Sequence, residues 1–163
     1  MQEASTSTVI DLLVRILDES FDTKAWQGTT LRGAIRGITA RQAAWRPRKD
    51  RHSIWDLTLH TAYWKYTVRR RLLGEKRGSF PRKGSNFFEL RPGAGEVEWK
   101  TDVALLVEQH SALRAAVLTI DPDRLGDIVP GAKWRTEQLI YGAAAHDAYH
   151  TGQIQVLKRL QGI

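Results

Sequence analysis

The sequence predicts an all-α fold, a four-helix bundle with a long crossover between its second and third long helices. Four segments repeat apolar residues at spacings of three and four, the signature of one buried helical face. No segment shows the alternating pattern between hairpin turns that half-buried strands require. With 163 residues, 42% of them hydrophobic and 26% charged, the chain has the size and composition of one globular domain. A single domain over 1–163 is expected, and collagen-like, disordered and low-complexity classes are excluded.

The first helix is expected over about residues 8–21, burying Val9, Leu13, Ile16 and Leu17, with the preceding Ser and Thr residues as caps. Gly28, Gly33, Gly37 and Pro47 limit the next stretch to short pieces such as 31–38. Ser53 caps the second long helix, with Asp56 three residues on in a weak capping-box pattern, and Gly74 ends it. Ile54, Leu57, Trp64, Val68 and Leu72 form one stripe of this helix, and Trp55, Leu59, Tyr63 and Tyr66 form another. A helix apolar on two sides needs two neighbouring layers or a dimer partner. Gly74, Gly78, Pro81, Gly84, Pro92, Gly93 and Gly95 then mark a long crossover, which frees the third helix to run parallel to the second. That third helix, about 97–118, aligns Trp99, Val103, Leu106, His110, Leu113 and Val117 as a core stripe. After a turn-rich stretch, the fourth runs over about 136–160 with Leu139, Ala143, Ile154 and Leu157 inward.

Cysteine is absent, which removes disulfides, thiolate-ligated zinc, iron–sulfur clusters and a cysteine nucleophile. No run approaches the roughly 18 consecutive apolar residues of a membrane helix. MQEASTSTVIDLL lacks a basic region followed by an apolar one, so a cytoplasmic protein without a membrane partner is expected. The net charge of +7 arises from 25 basic and 18 acidic residues. Its excess is local, because Lys65, Arg69, Arg70, Arg71, Lys76, Arg77, Arg82 and Lys83 share their segment with a single acid, Glu75. The run RRRLLGEKRGSFPRKG lacks the aromatic spacing of a nucleic-acid stacking platform. A solvated charged turn is the expectation, an anion or partner site is the alternative, and nucleic acid is disfavoured.

Five histidines stand at 52, 60, 110, 146 and 150. His146 and His150 are four apart, so both project from one helical face as two ligands of one metal would, and they share that face with Leu139, Ala143 and Leu157. Two imidazoles in an apolar stripe require hydrogen bonds or a metal, which leaves a metal site and a hydrogen-bonded core pair as the two readings. His60, at the edge of the Leu57 and Trp64 stripe, can supply a third ligand from the second long helix, as bundle cores commonly do. A zincin protease is excluded, because no Glu follows the first His and Asp147 lies about 100° off the ligand face. His110 is a core residue, a fourth ligand or a substrate contact, and His52 is expected on the surface. Asp56, one turn before His60, either orients its second nitrogen or simply caps the helix. Gln153 lies beside the pair, while Tyr63, Trp64 and Tyr149 either wall a pocket or are core.

His60 within IWDLTLHTAYWKY, the helix from Trp99 through His110, and TEQLIYGAAAHDAYHTGQIQVLKRL together resemble the DinB-like, or YfiT-like, metal-binding bundles. The resemblance covers nearly the whole chain. It implies an up-down-down-up topology, a divalent metal such as zinc or nickel on His60, His146 and His150 with water in the open positions, and a homodimer. Trp26-Gln27-Gly28 departs from the Trp-His-Gly of close relatives. Characterised relatives include thiol-dependent isomerases and transferases. The leading expectation is therefore a metal-dependent S-transferase or isomerase whose thiol is a low-molecular-weight cosubstrate, since the chain has no cysteine of its own. A metal-dependent hydrolase and a non-enzymatic metal-binding or stress-related bundle are the alternatives.

Overall fold

In the computed structural model, which describes residues 8–163, the chain forms helices α1 (Val9–Phe21), α2 (Leu31–Ile35), α3 (Ala40–Ala44), α4 (Ile54–Leu72), α5 (Glu96–Leu118) and α6 (Thr136–Gln161). MQEASTS, with the candidate caps Ser5, Thr6 and Ser7, lies outside the described residues. The fold is all-α, with no strand among the described residues beyond isolated bridges. No helix among them is long and apolar enough to cross a membrane.

The first two long helices begin where their capping chemistry places them. The hydroxyls of Thr8 and Ser53 accept from the N–H of Asp11 and Asp56, whose carboxylates in turn accept from the cap residue's N–H, so two otherwise orphaned donors are satisfied reciprocally. In α1 the buried face is Ile10, Leu13, Val14, Leu17 and Phe21, which leaves Val9 exposed, contrary to expectation. Of the short pieces expected between the first two long helices, 31–38 is helical only over α2, and α3 follows it as a second piece. Gly37 takes a left-handed backbone between them, and Thr39 starts the second with a capping box to Gln42.

α5 and α6 pack against α4, which is buried on most of its circumference, and α1 packs across α5 and α6. Trp55 Nε1 donates to Asp102 Oδ2 at 2.8 Å, and Lys65 Nζ lies 3.3 Å from His110 Nδ1. Contacts that climb both helices together in this way make α4 and α5 parallel. Because α4 has 19 residues, or about 28 Å of length, the chain must travel that distance back before α5 can start. The crossover is pinned on its way. Tyr66 Oη accepts from the N–H groups of Gly78 and Ser79, Arg82 pairs with Asp102, and Phe80 and Phe88 pack on Tyr63.

Two apolar clusters fill the bundle. One gathers α2, α3, the first halves of α4 and α5, and the end of α6. The other gathers α1, the second half of α5 and the first half of α6. Between them every long helix contributes polar groups to a buried layer, namely Asp18 and Ser20 from α1, Lys65 from α4, His110 from α5, and Asp147 and His150 from α6. At its centre Lys65 Nζ meets Asp147 Oδ2 at 2.5 Å, with both side chains 1% exposed. Ser20 Oγ also donates to Asp147, and Asp18 pairs with Arg114 and lies 3.5 Å from His110 Nε2. Lys65, expected in the solvated basic segment, is therefore an interior residue. Lys65 stands five residues after the inward His60, about 140° further round the helix, and α4 is covered on that side as well.

Lys65→Met is expected to destabilise the protein by about 3–5 kcal/mol, because it leaves the buried Asp147 carboxylate without its cation. The double variant Lys65→Met with Asp147→Leu should recover most of that loss. Urea denaturation of the three proteins checks both expectations.

Candidate metal centre

His60 projects from α4 toward α6, and the i, i+4 spacing of His146 and His150 turns both imidazoles back toward it. His60 Nε2 and His150 Nε2 each lie 3.0 Å from His146 Nε2, and the three residues form a group whose ligand atoms all lie within 4.8 Å of one another. Around a tetrahedral zinc with Zn–N bonds of about 2.0–2.1 Å, imidazole nitrogens stand about 3.3 Å apart, close to the observed separations. His60 and His150 are buried and His146 is half-buried.

The far side of two rings fixes which nitrogen carries the proton. His60 Nδ1 lies 3.0 Å from the carbonyl oxygen of Asn86, and His150 Nδ1 lies 2.7 Å from Gln153 Oε1. Both partners are acceptors, so each Nδ1 donates and each Nε2 presents a lone pair to the centre. His146 can offer at most one Nε2–H while neutral, so at least one close nitrogen pair has no proton to share. Burial also holds the rings neutral. It lowers His60 to about 4 and His146 to about 3 from the usual 6.5, aided by the neighbouring histidines. His150 is lowered by burial as well, against its hydrogen bond to Gln153. Neutral, pre-oriented, proton-poor imidazoles are what a divalent cation requires of its ligands, so the residues fit the metal that the spacing suggests.

Several expected neighbours sit elsewhere. Asp56 does not orient His60; its carboxylate accepts from the N–H and hydroxyl of Ser53 and pairs with Arg46 at 2.7 Å. The orienting acceptor is instead Asn86, a crossover residue at φ 66°, whose side-chain oxygen also accepts from Trp64 Nε1 at 2.9 Å. Phe87 beside it stacks on His60 at 4.3 Å and on exposed His52 at 3.8 Å. Sequence reasoning missed both residues, although an asparagine inside a glycine-rich turn signals a left-handed position. His110 is not a ligand. It is buried against Phe21 at 3.8 Å, between Lys65 and Asp18, and burial followed by the Lys65 and Arg114 charges lowers it to about 3. Tyr63 packs toward the crossover rather than the histidines. Trp64 stands edge-on to His60 and His146. Tyr149 is 64% exposed rather than core, and its hydroxyl accepts from Gln153 Nε2. Asp147, off the ligand face as expected, is the buried partner of Lys65; burial pushes its carboxyl up, against the pull of Lys65 and Ser20.

The fold is a helical bundle whose waist gathers three inward histidines that could hold a metal ion between facing helices. The sequence profile of the DinB superfamily matches residues 24–154, and the chain belongs to that superfamily. No curated protein and no solved structure matches the chain significantly.

Gln153→Leu should weaken metal affinity about 10–100-fold while the protein stays folded, as competition with a chromogenic chelator will measure. A second expectation concerns acid. His60, His110 and His146 have folded values of about 4, 3 and 3, below the 6.5 of an ordinary histidine, so the unfolded chain takes up protons first as pH falls. Stability of the metal-free protein is thus fully present above about pH 6.5 and lost progressively as pH falls toward about 3. Urea midpoints that stay constant across that window would contradict this.

Proposed function

We propose that the protein is a metal-dependent enzyme of the S-transferase or isomerase type that activates a low-molecular-weight thiol. One observation carries the reading: three histidine nitrogens converge without a fourth His, Cys, Asp or Glu ligand among the described residues, beside a cavity that reaches His146. A structural metal site is normally closed by four protein ligands, whereas a catalytic one keeps a position open. His60, His146 and His150 would hold the ion, and imidazole donors suit zinc or nickel. Bound there, a divalent ion supplies positive charge that favours the thiolate form of a thiol in its open position.

The chain's own residues supply the rest. Asn86 and Gln153 orient two of the rings through their Nδ1 atoms, and Trp64 and Phe87 shield the nitrogens from bulk water. The chain contains no cysteine, so the nucleophilic sulfur comes from the cosubstrate. Pairing with a second copy, which the family resemblance implies, would cover the exposed Tyr149, Val156 and Leu160 of α6.

Protein purified without a histidine tag is expected to carry close to one divalent ion per chain, and His146→Ala with His150→Ala to carry none. The cobalt-loaded protein should develop a thiolate-to-cobalt charge-transfer band with dithiothreitol or glutathione, but not with the corresponding alcohols. A spectrum indifferent to thiols, together with cleavage of ester or amide substrates by the loaded protein, would replace this reading by a hydrolase.

A further inference from the structure

A cavity of about 340 Å³ opens between α4 and α6, within the roughly 300–1,000 Å³ typical of small-molecule sites. His146 bounds one end and Arg71, in the last turn of α4, bounds the other. Trp64, Val68, Leu139 and Ala143 line it between these ends, with the exposed rings of Trp134 and Tyr141 at its rim. Arg71 stands seven residues beyond Trp64, which already touches His60 and His146, so the cavity runs about 10 Å along the helix.

Charge gives this space a direction. No Asp or Glu lines it, and of its two cations Lys65 is committed to Asp147. Arg69 and Arg70 are held by Glu75, whereas the Arg71 guanidinium has no ion-pair or hydrogen-bond partner among the described residues. An unpaired guanidinium at the mouth of an apolar slot favours a planar anion that it can grip through two N–H groups. The aromatic and aliphatic walls favour a flat apolar body.

We propose that this cavity binds an organic carboxylate with a flat apolar body, its carboxylate on Arg71 and its other end beside His146. The proposal deepens the reading above and rests on it only for the ligand's role as the second substrate, since the end beside His146 is where a reacting centre would meet the activated thiol. Binding itself depends on the cavity and Arg71 alone.

The test uses 2-naphthoate and its neutral counterpart 2-naphthylmethanol, titrated calorimetrically into the full chain, with metal content measured on the same preparations. The naphthoate should bind about tenfold or more tightly than the alcohol, as a charge-assisted contact implies. Arg71→Gln should abolish that preference while leaving the alcohol's affinity unchanged. Gly142 lies on the cavity wall, and a Cβ built there meets nothing within 4 Å, so Gly142→Leu should fill the space, improve the helix and weaken both probes. A preference that survives Arg71→Gln, or binding indifferent to Gly142→Leu, would overturn the proposal. Absent naphthoate binding in metal-bearing protein would overturn the proposal and leave the metal reading standing. The expected binding pattern in protein that takes up no metal would support the cavity while the functional reading fell.

Discussion

Neither an ammonium nor a carboxylate can be taken out of water and left alone, and Lys65 and Asp147 are both buried in the waist of this bundle. Their pairing fixes how α6 is rotated against α4. With Asp147 turned to Lys65, the preceding residue, His146, faces His60, and His150 follows one turn later. Ser20 extends the bond to α1, while His110 links Lys65 to Asp18 and so to Arg114. All four long helices therefore meet in one polar layer, with apolar clusters above and below it. In apolar packing alone, a helix can slide or rotate with modest penalties. A buried ion pair flanked by further hydrogen bonds makes such slippage expensive, and the histidines inherit that precision.

The centre built on this layer is short of protons. Asn86 and Gln153 draw the Nδ1 protons of two imidazoles outward, so their lone pairs converge on the third ring. Burial suppresses the protonation that could otherwise relieve the crowding. The crossover takes part directly. A parallel α4 and α5 require a long return, and that return brings the Asn86 carbonyl to His60 and lays Phe87 over its ring. Topology and site chemistry are thus linked, because a short hairpin between these helices would have no residue to place there.

The basic segment shows how a local excess of charge in the sequence divides in three dimensions. Lys65 enters the core, Arg69 pairs with Glu75 and Arg82 with Asp102, and Arg71 is left at the mouth of a cavity. Counting charges along the chain treats these residues as equivalent neighbours. Their burial and partners, set by elements far away in sequence, give them separate roles.

Periodicity and capping alone determined the four long helices to within a residue or two, because both are local properties of backbone and side chain. The i, i+4 histidines and the inward position of His60 were legible for the same reason. The burial of Lys65 and Asp147 and the position of His110 in the polar layer depended on which helices became neighbours. Asn86 and Phe87 could not be assigned to the site from a turn-rich stretch. Their contact with His60 spans more than twenty residues and exists only once the crossover has closed over α4. Apart from the meeting of His60 with His146 and His150, what the sequence left open was therefore the pairing between helices, since a lone helix carries its own hydrogen bonds but not the partners of its buried charges.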